Sequence, residues 1–229
     1  MIRAILLDIE GTTTPIAFVH EVLFSYARDH VKEYLANKPD AEDVTRLREE
    51  HAADTSKGEH PPSQMAAYVE WLIARDRKST GLKSLQGKIW RQGYLDGSLK
   101  SQVYVDVAPA FARWRARGLS INIFSSGSVL AQQLLFAHTE AGDLTKFIDQ
   151  YFDTNVGKKA EAASYRRIAE ALSLRAEEVL FISDVAAELN AANEAGMEPL
   201  LSIRPGNPPQ EGAENYRAIH SFDLLFTLK

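Results

Sequence analysis

Two carboxylates follow the first apolar segment of the chain, two residues apart. Residues 2–7 are mostly apolar, and Asp8 and Glu10 come directly after them, before Gly11 and three threonines. Charged groups are costly to desolvate, so acids at the end of a buried strand indicate that something positive neutralises them. In open α/β sheets, ligands bind just beyond the carboxyl ends of the strands. The pair therefore predicts a cation site and a candidate nucleophile.

Further polar groups follow, or lie close to, the later segments of the same pattern. Two serines and an aspartate follow apolar runs, a glutamate lies on the opening turn of a predicted helix, and two lysines come just before another predicted helix. These groups are Ser125, Ser126, Lys158, Lys159, Asp184 and Glu188. Carboxylates for a hard cation, hydroxyls for an anion and a lysine are therefore expected at one edge of a sheet.

This set of side chains meets the needs of phosphoryl transfer. A phosphate monoester carries about two negative charges, which repel an attacking carboxylate. Mg²⁺ held by Asp8 and Asp184 would offset that charge, and a lysine would neutralise the remaining oxygens. Asp8 is the candidate nucleophile that forms an aspartyl-phosphate. Glu10 is the candidate acid and base, and Ser125 or Ser126 would bind phosphate oxygens.

The elements that position these residues alternate between short apolar runs and helical patterns. We predict strands at residues 2–7, 119–124, 179–183 and 199–203. We predict helices between and after them at residues 108–118, 129–136, 160–172 and 186–196. Strands that alternate with helices indicate right-handed βαβ units, and so an α/β fold with a doubly wound, mostly parallel sheet.

The stretch from about residue 16 to residue 101 interrupts this alternation. It contains amphipathic helical patterns at residues 20–35, 43–51, 65–79 and 81–94, and no convincing strand pattern. We therefore predict an all-helical cap, residues 16–101, inserted after the first strand of a core formed by residues 1–15 and 102–229.

Composition narrows the function classes. The chain has 229 residues, a net charge of −5 and no cysteine. The acidic balance argues against a nucleic-acid partner, and the absence of cysteine excludes disulfides and thiolate metal sites. The first apolar run is too short for a signal peptide, and no run approaches the roughly 18 residues that span a bilayer. We expect a soluble, cytoplasmic protein, without a membrane partner, and a monomer.

The four motifs together resemble those of the haloacid dehalogenase superfamily. The matching residues are Asp8-Ile-Glu10-Gly-Thr12, Ser125-Ser126-Gly127, a lysine near 159, and Ser183-Asp184 with Glu188. Residues 8–15, 86–94 and 152–159 more closely resemble the enolase-phosphatases of methionine salvage. Most phosphatases of the superfamily have a second aspartate where this chain has Glu10. The resemblance implies a haloacid dehalogenase-like, Rossmannoid core with an inserted cap.

The resemblance also implies a reaction and roles. The family enolises 2,3-diketo-5-methylthiopentyl-1-phosphate and then removes its phosphate, which leaves the acireductone 1,2-dihydroxy-3-keto-5-methylthiopentene. It implies one Mg²⁺ per subunit, bound by Asp8, Glu10 and Asp184. It makes Asp8 and Glu10 catalytic, and Ser125, Ser126 and Lys159 substrate-binding, with Lys159 preferred to Lys158 by the family's Gly-x-Lys spacing. Glu188 is expected to bind a water on the metal.

Two alternatives stay open at this stage. One is a capped, magnesium-dependent phosphatase of a small sugar phosphate, against which the Asp8–Glu10 spacing weighs. The other is a receiver-type signalling module, which also carries a phosphorylated aspartate but has no large cap. In the predicted cap, Trp90 and Tyr94 share one helix face and belong either to its core or to a surface over the site.

Overall fold

The protein, described by a computed structural model over residues 1–75, 77 and 79–226, forms two compact units. Of these described residues, 1–19 and 100–226 form the first unit, and those between 20 and 99 form the second. The sequence predicted the boundaries at 15/16 and 101/102. The predicted helix at residues 65–79 includes Asp76 and Lys78, and the predicted core includes residues 227–229, all of which lie outside the described residues.

The first unit is a six-stranded parallel sheet. Its strands, in chain order, are β1 (Ala4–Leu7), β2 (Ser120–Phe124), β3 (Gln150–Phe152), β4 (Val179–Ser183), β5 (Glu198–Ser202) and β6 (Ala218–Ile219). The order across the sheet is β3-β2-β1-β4-β5-β6, so β1 is central and the chain winds outward in both directions. This confirms the predicted α/β class and its doubly wound parallel sheet.

Four helices accompany this sheet. They are α5 (Val107–Ala116), α6 (Val129–Ala137), α7 (Ala162–Ala171) and α8 (Ala186–Glu194). Tyr165 and Ile168 of α7 and Leu189 of α8 pack with alternate residues of the strands, including Leu6 and Phe181, in one apolar cluster. Because successive strand residues face opposite sides of a sheet, Leu7 lies on the other face from Leu6. Both faces of the central strands are therefore covered.

The second unit contains four helices and, among its described residues, no strand. The helices are α1 (Phe24–Asn37), α2 (Glu42–Ser56), α3 (Met65–Ala74) and α4 (Thr80–Asp96), and a π-helical turn at Phe18–Leu23 precedes α1. Val31, Leu47, Tyr68 and Leu85 meet in its core. Across the described part of the whole chain, no helix is both long and apolar enough to cross a bilayer.

The predicted end of the third helix at Ser79 was wrong, because Ser79 has another role. Its backbone is extended (φ −124°, ψ 128°), and its hydroxyl accepts a hydrogen bond from Leu82 N, so it caps the start of α4. An N-cap residue lies outside the helical region of φ/ψ space. Strands β3 and β6 were also not predicted, since strands of three and two residues are too short for an apolar pattern.

Two aromatic residues of the predicted cap have different environments. Tyr94, on α4, is buried. Trp90 is half-buried, stacks on Phe24 at 6.3 Å between ring centroids, and donates from Nε1 to Leu23 O at 2.8 Å. The contacts of Trp90 therefore stabilise the second unit itself.

A buried arginine joins the loop after β1 to the end of the chain. The guanidinium of Arg204 donates from Nε to Thr12 O (3.2 Å) and from Nη1 to Asp106 Oδ2 (2.7 Å). Its central carbon lies 4.6 Å from the Tyr104 ring centroid and 4.4 Å from that of Phe222. A charge this deeply buried is tolerated only with a charged, hydrogen-bonded partner.

Asp106 supplies that partner. Its Oδ2 also accepts hydrogen bonds from Phe222 N at 2.6 Å and from Ser221 Oγ at 3.1 Å. One carboxylate oxygen therefore connects the start of α5, the segment after β5 and the C-terminal segment. The loop that carries the candidate nucleophile is stabilised by the same network, through Arg204.

We predict that Asp106→Ala lowers the free energy of unfolding by about 3–5 kcal/mol, because it leaves the Arg204 charge buried without a partner. Urea denaturation followed by circular dichroism measures the loss. Glu194→Ala is the matched control, because it removes a carboxylate from an exposed pair with Arg166, and such pairs contribute about 0–1 kcal/mol. Equal losses in the two variants would contradict this account of the network.

Candidate active site

The parallel pairing of β1 with β4 brings two buried carboxylates to the same edge of the sheet. Leu7 is in register with Ile182, and Asp8 N donates to Ile182 O at 3.0 Å. Asp8 directly follows β1 and Asp184 directly follows β4. These two residues are 4% and 6% exposed. Burial and the neighbouring charge of Asp8 raise the pKa of Asp184 to about 7. The two acids therefore interact electrostatically in a site that excludes most solvent.

Gly11 lies so close to Asp184 that a side chain at this position would displace the carboxylate. Its φ is +68°, and a Cβ at this position would lie 2.3 Å from Asp184 Oδ2. A left-handed backbone combined with such a close approach requires glycine. Gly11 N donates to Thr14 O at 2.8 Å, which closes the turn after Asp8.

A buried lysine connects two of the acids. Lys159 Nζ lies 2.5 Å from Asp8 Oδ1 and 2.7 Å from Glu188 Oε2, and its side chain is 9% exposed. Lys158, by contrast, is 79% exposed and pairs with Glu161. Burial alone would lower the pKa of Lys159, but the carboxylates of Asp8 and Glu188 raise it above its ordinary value. Lys159 therefore remains an ammonium at neutral pH.

Helix α7 fixes the loop from which this lysine projects. Three of its side chains each donate to a different loop carbonyl: Tyr165 OH to Lys159 O (2.7 Å), Ser164 Oγ to Lys158 O (2.7 Å), and Arg167 Nη1 to Val156 O. Sequence reasoning missed these three residues, because Ser, Tyr and Arg in the first turns of an amphipathic helix carry no signal of their own. The contacts orient the backbone from which Lys159 reaches Asp8.

Glu188 contacts Lys159 and the strand end. Its Oε2 accepts from Ser183 Oγ at 2.9 Å as well as from Lys159 Nζ. Burial, and then the charge of Asp8, raise the pKa of Glu188, while Lys159 lowers it. The structure shows an ion pair of Glu188 with Lys159, and the expected contact with a metal-bound water stays a prediction.

The serine cluster forms the turn between β2 and α6. Ser125 is buried, and its Oγ accepts from Gly127 N at 3.2 Å, whereas Ser126 is exposed. Ser128 caps α6 by accepting a hydrogen bond from Ala131 N. Gln132 Nε2 donates to Gly127 O at 2.9 Å and so holds the turn from the helix side.

For Glu10, the structure gives the burial and the backbone pairing. It is half-buried, and its backbone pairs with that of Thr14. Within the part of the chain that the structure describes, no three His, Cys, Asp or Glu side chains are arranged to hold one metal ion. The structure therefore brings together Asp8, Lys159, Asp184 and Glu188, and the role of Glu10 as a metal ligand beside Asp8 and Asp184 stays a prediction.

Comparison with known proteins places the chain in a family. Residues 2–196 match the family model described as haloacid dehalogenase-like hydrolase. A crystal structure of a dehalogenase superposes with a TM-score of 0.57 at 20% identity, over 96% of this chain and 94% of that one, which shows a shared fold.

Relatives of higher identity cover nearly the whole chain. Enolase-phosphatase E1 of Synechococcus elongatus is 53% identical, over 98% of both chains. Enolase-phosphatase E1 of Danio rerio is 42% identical, over 97% of this chain and 94% of the relative. The UTR4 protein of Saccharomyces cerevisiae superposes with a TM-score of 0.81 at 36% identity, over 98% and 100% of the two chains. The chain therefore belongs to the haloacid dehalogenase-like hydrolases and, within them, to the enolase-phosphatase E1 family.

Proposed function

We propose that this enzyme enolises 2,3-diketo-5-methylthiopentyl-1-phosphate and then hydrolyses its phosphate ester, which yields 1,2-dihydroxy-3-keto-5-methylthiopentene and phosphate. Membership of the enolase-phosphatase E1 family supports the proposal. The observation that carries it is the buried contact of Lys159 Nζ with Asp8 Oδ1, at 2.5 Å, next to a second buried acid, Asp184. A nucleophilic carboxylate beside a fixed cation suits an attack on a phosphate dianion.

In the proposed hydrolysis, Asp8 attacks phosphorus and the bond from phosphorus to the substrate oxygen breaks. Glu10 donates a proton to that leaving oxygen. Glu10 then accepts a proton from water, which attacks the aspartyl-phosphate, and the bond between Asp8 and phosphorus breaks. Lys159 holds phosphoryl oxygens throughout, with Ser125 and Ser126. Free phosphate leaves, and Asp8 is restored as a carboxylate.

We propose that the residues at the sheet edge hold one Mg²⁺ per subunit. Mg²⁺ is usually bound by one or two carboxylates and completes its shell with water and substrate phosphate. Asp8 and Asp184 are two such carboxylates, both buried and close enough for the charge of Asp8 to act on Asp184, so they would hold the ion, and we propose Glu10 as a further contributor. A bound cation would supply charge neutralisation for the phosphoryl group.

Enolisation requires that a proton leave carbon, and the extra methylene of Glu10 relative to aspartate extends its reach. We propose Glu10 as the residue that serves this step.

The assignment of residues 16–101 as a cap, the cytoplasmic location and the monomeric state stay predictions.

One assay tests the proposed function directly. The purified protein is incubated with the diketone phosphate and Mg²⁺, while enol absorbance and phosphate release are followed separately. We expect enol to form before phosphate appears. No turnover would contradict the proposal, and phosphate release without enol, or faster turnover of a sugar phosphate, would favour a different substrate.

We predict that Lys159→Met lowers kcat/KM on the order of a hundredfold, because it removes a fixed, buried charge that faces the phosphoryl group. Steady-state phosphate release measures the effect. Lys158→Met is the matched control, since the exposed Lys158 pairs only with Glu161 at 3.1 Å among its described ion pairs, and we expect less than about a twofold change for it. A larger loss in the Lys158 variant would show that the wrong lysine has been assigned.

We predict that Glu10→Asp slows enol formation about tenfold or more, because the shorter acid no longer reaches the carbon-bound proton. The variant is compared with the wild type on the diketone phosphate and on a simple phosphate monoester that cannot enolise. We expect the smaller loss on the monoester. Wild-type rates for both half-reactions would refute the role in enolisation.

We predict that the metal-free protein loses stability as pH rises from about 4 to about 7, and that the loss levels off above this range. The folded-state pKa of Asp184, about 7, lies above its ordinary value of 3.8, so its stabilising contribution is present below the unfolded pKa and is lost as pH rises through 7. Melting temperatures in EDTA measure this trend. Asp184→Asn should reduce the slope, and Mg²⁺ should raise the wild-type melting temperature more at pH 8 than at pH 5.5. An unchanged slope in Asp184→Asn would contradict the assignment.

A further inference from the structure

Asn207, in the turn after β5, is hydrogen-bonded to the backbone of Gly11, the glycine that lies against Asp184. Its Nδ2 donates to Gly11 O at 2.9 Å and to Ser202 O at 3.4 Å. Ser202 Oγ donates to the same Gly11 carbonyl at 3.3 Å. The backbone N–H of Asn207, bonded to Arg204 O at 3.1 Å, closes the turn that places the side chain there. The backbone of the nucleophile loop is therefore held from β5.

The other end of the same amide is buried and has no hydrogen-bond partner among the described residues. Because two carbonyl oxygens face Nδ2, the opposite atom of Asn207 is the acceptor, Oδ1. A Cβ built on Gly11 would lie 3.0 Å from Asn207 Oδ1 and 2.3 Å from Asp184 Oδ2. The two oxygens thus lie on the same side of the Gly11 backbone, next to the acid proposed to bind the cation.

A buried carbonyl without a donor is costly, so an unpaired one beside a functional site calls for an explanation. Asp184, when ionised, offers only acceptors and cannot satisfy it. A donor that suits both oxygens is a water molecule bound to a cation, because such a water has two polarised hydrogens. Mg²⁺ retains several waters in protein sites, and these waters need acceptors around them.

We propose that Asn207 is a positioning residue of the cation site, whose Oδ1 accepts a hydrogen bond from cation-bound water while its Nδ2 fixes the Gly11 peptide. The inference deepens the proposed function and rests on the cation site at Asp8 and Asp184. The sequence does not suggest this role for Asn207. The residue lies in a turn after β5, whereas the carboxylates of the site follow β1 and β4.

The test measures cation binding without substrate, so that activity is not the readout. Mn²⁺, which also prefers oxygen ligands, is titrated into metal-free protein and its free concentration is followed by electron paramagnetic resonance. We expect Asn207→Leu, which keeps the approximate volume but removes both polar atoms, to raise the Kd for Mn²⁺ about tenfold, as loss of an outer-shell partner does.

Asn215→Leu is the matched control. Asn215 is exposed and also donates from Nδ2 to a glycine carbonyl, Gly212 O, at 3.1 Å, but it lacks a buried, unpaired Oδ1. We expect its Kd to be within about twofold of wild type. Ser202→Ala removes only the second donor to Gly11 O and keeps Asn207 Oδ1, so it should raise the Kd by less than Asn207→Leu does.

The outcomes separate the inference from the function on which it rests. If the wild type binds Mn²⁺ and Asn207→Leu binds it with the same Kd, the role of Asn207 is overturned but the cation site is not. Absence of Mn²⁺ binding by the wild type, or no weakening in Asp184→Asn, overturns the cation site and this inference with it. If Asn207→Leu does not fold, Asn207→Ala decides, because it also removes Oδ1: a Kd for Mn²⁺ raised well beyond that of Ser202→Ala supports the role, and a Kd within about twofold of wild type contradicts it.

Discussion

Charge balance in a buried site is the constraint on which the rest of the structure depends. The ammonium of Lys159 lies between Asp8 and Glu188, and Asp184 is a third buried acid beside them. One ammonium does not neutralise three carboxylates, so protonation or a bound cation must compensate for the remaining charge. The raised pKa values of Asp184 and Glu188 favour protonation of these acids, whereas the proposed Mg²⁺ would compensate the charge as a bound cation. A bound cation would also lower the electrostatic cost of admitting a phosphate dianion to this site.

The surrounding backbone is built to hold these charges in place. Gly11 allows the loop after β1 to pass against Asp184, and Arg204 ties the next residue, Thr12, to the buried Asp106. On the other side, α7 fixes the backbone of Lys159 through Tyr165. Charged side chains that are fixed from separate elements do not need to reorganise when the charge of the reacting group changes, which is the main source of electrostatic catalysis.

The sheet and its central site residues could be predicted from the sequence because both depend on local pattern. Apolar runs that end in Asp8 and Asp184 are visible along the chain, and the parallel order of the strands places their ends together. The contact of Glu188 with Lys159 could not be predicted, since it depends on side-chain reach across the sheet edge. Asn207 was missed for the same reason: its partner, Gly11, is far away in sequence and offers only a backbone carbonyl.

Trapping of the covalent intermediate tests the central claim, that Asp8 is the nucleophile, most directly. The enzyme is mixed with the diketone phosphate and Mg²⁺, quenched during turnover and treated with borohydride, which reduces an acyl phosphate to an alcohol. Peptide mass spectrometry should then show homoserine at position 8, dependent on substrate. Reduction at Glu10 or Asp184 instead, or unmodified Asp8 in enzyme that is turning over, would contradict the account.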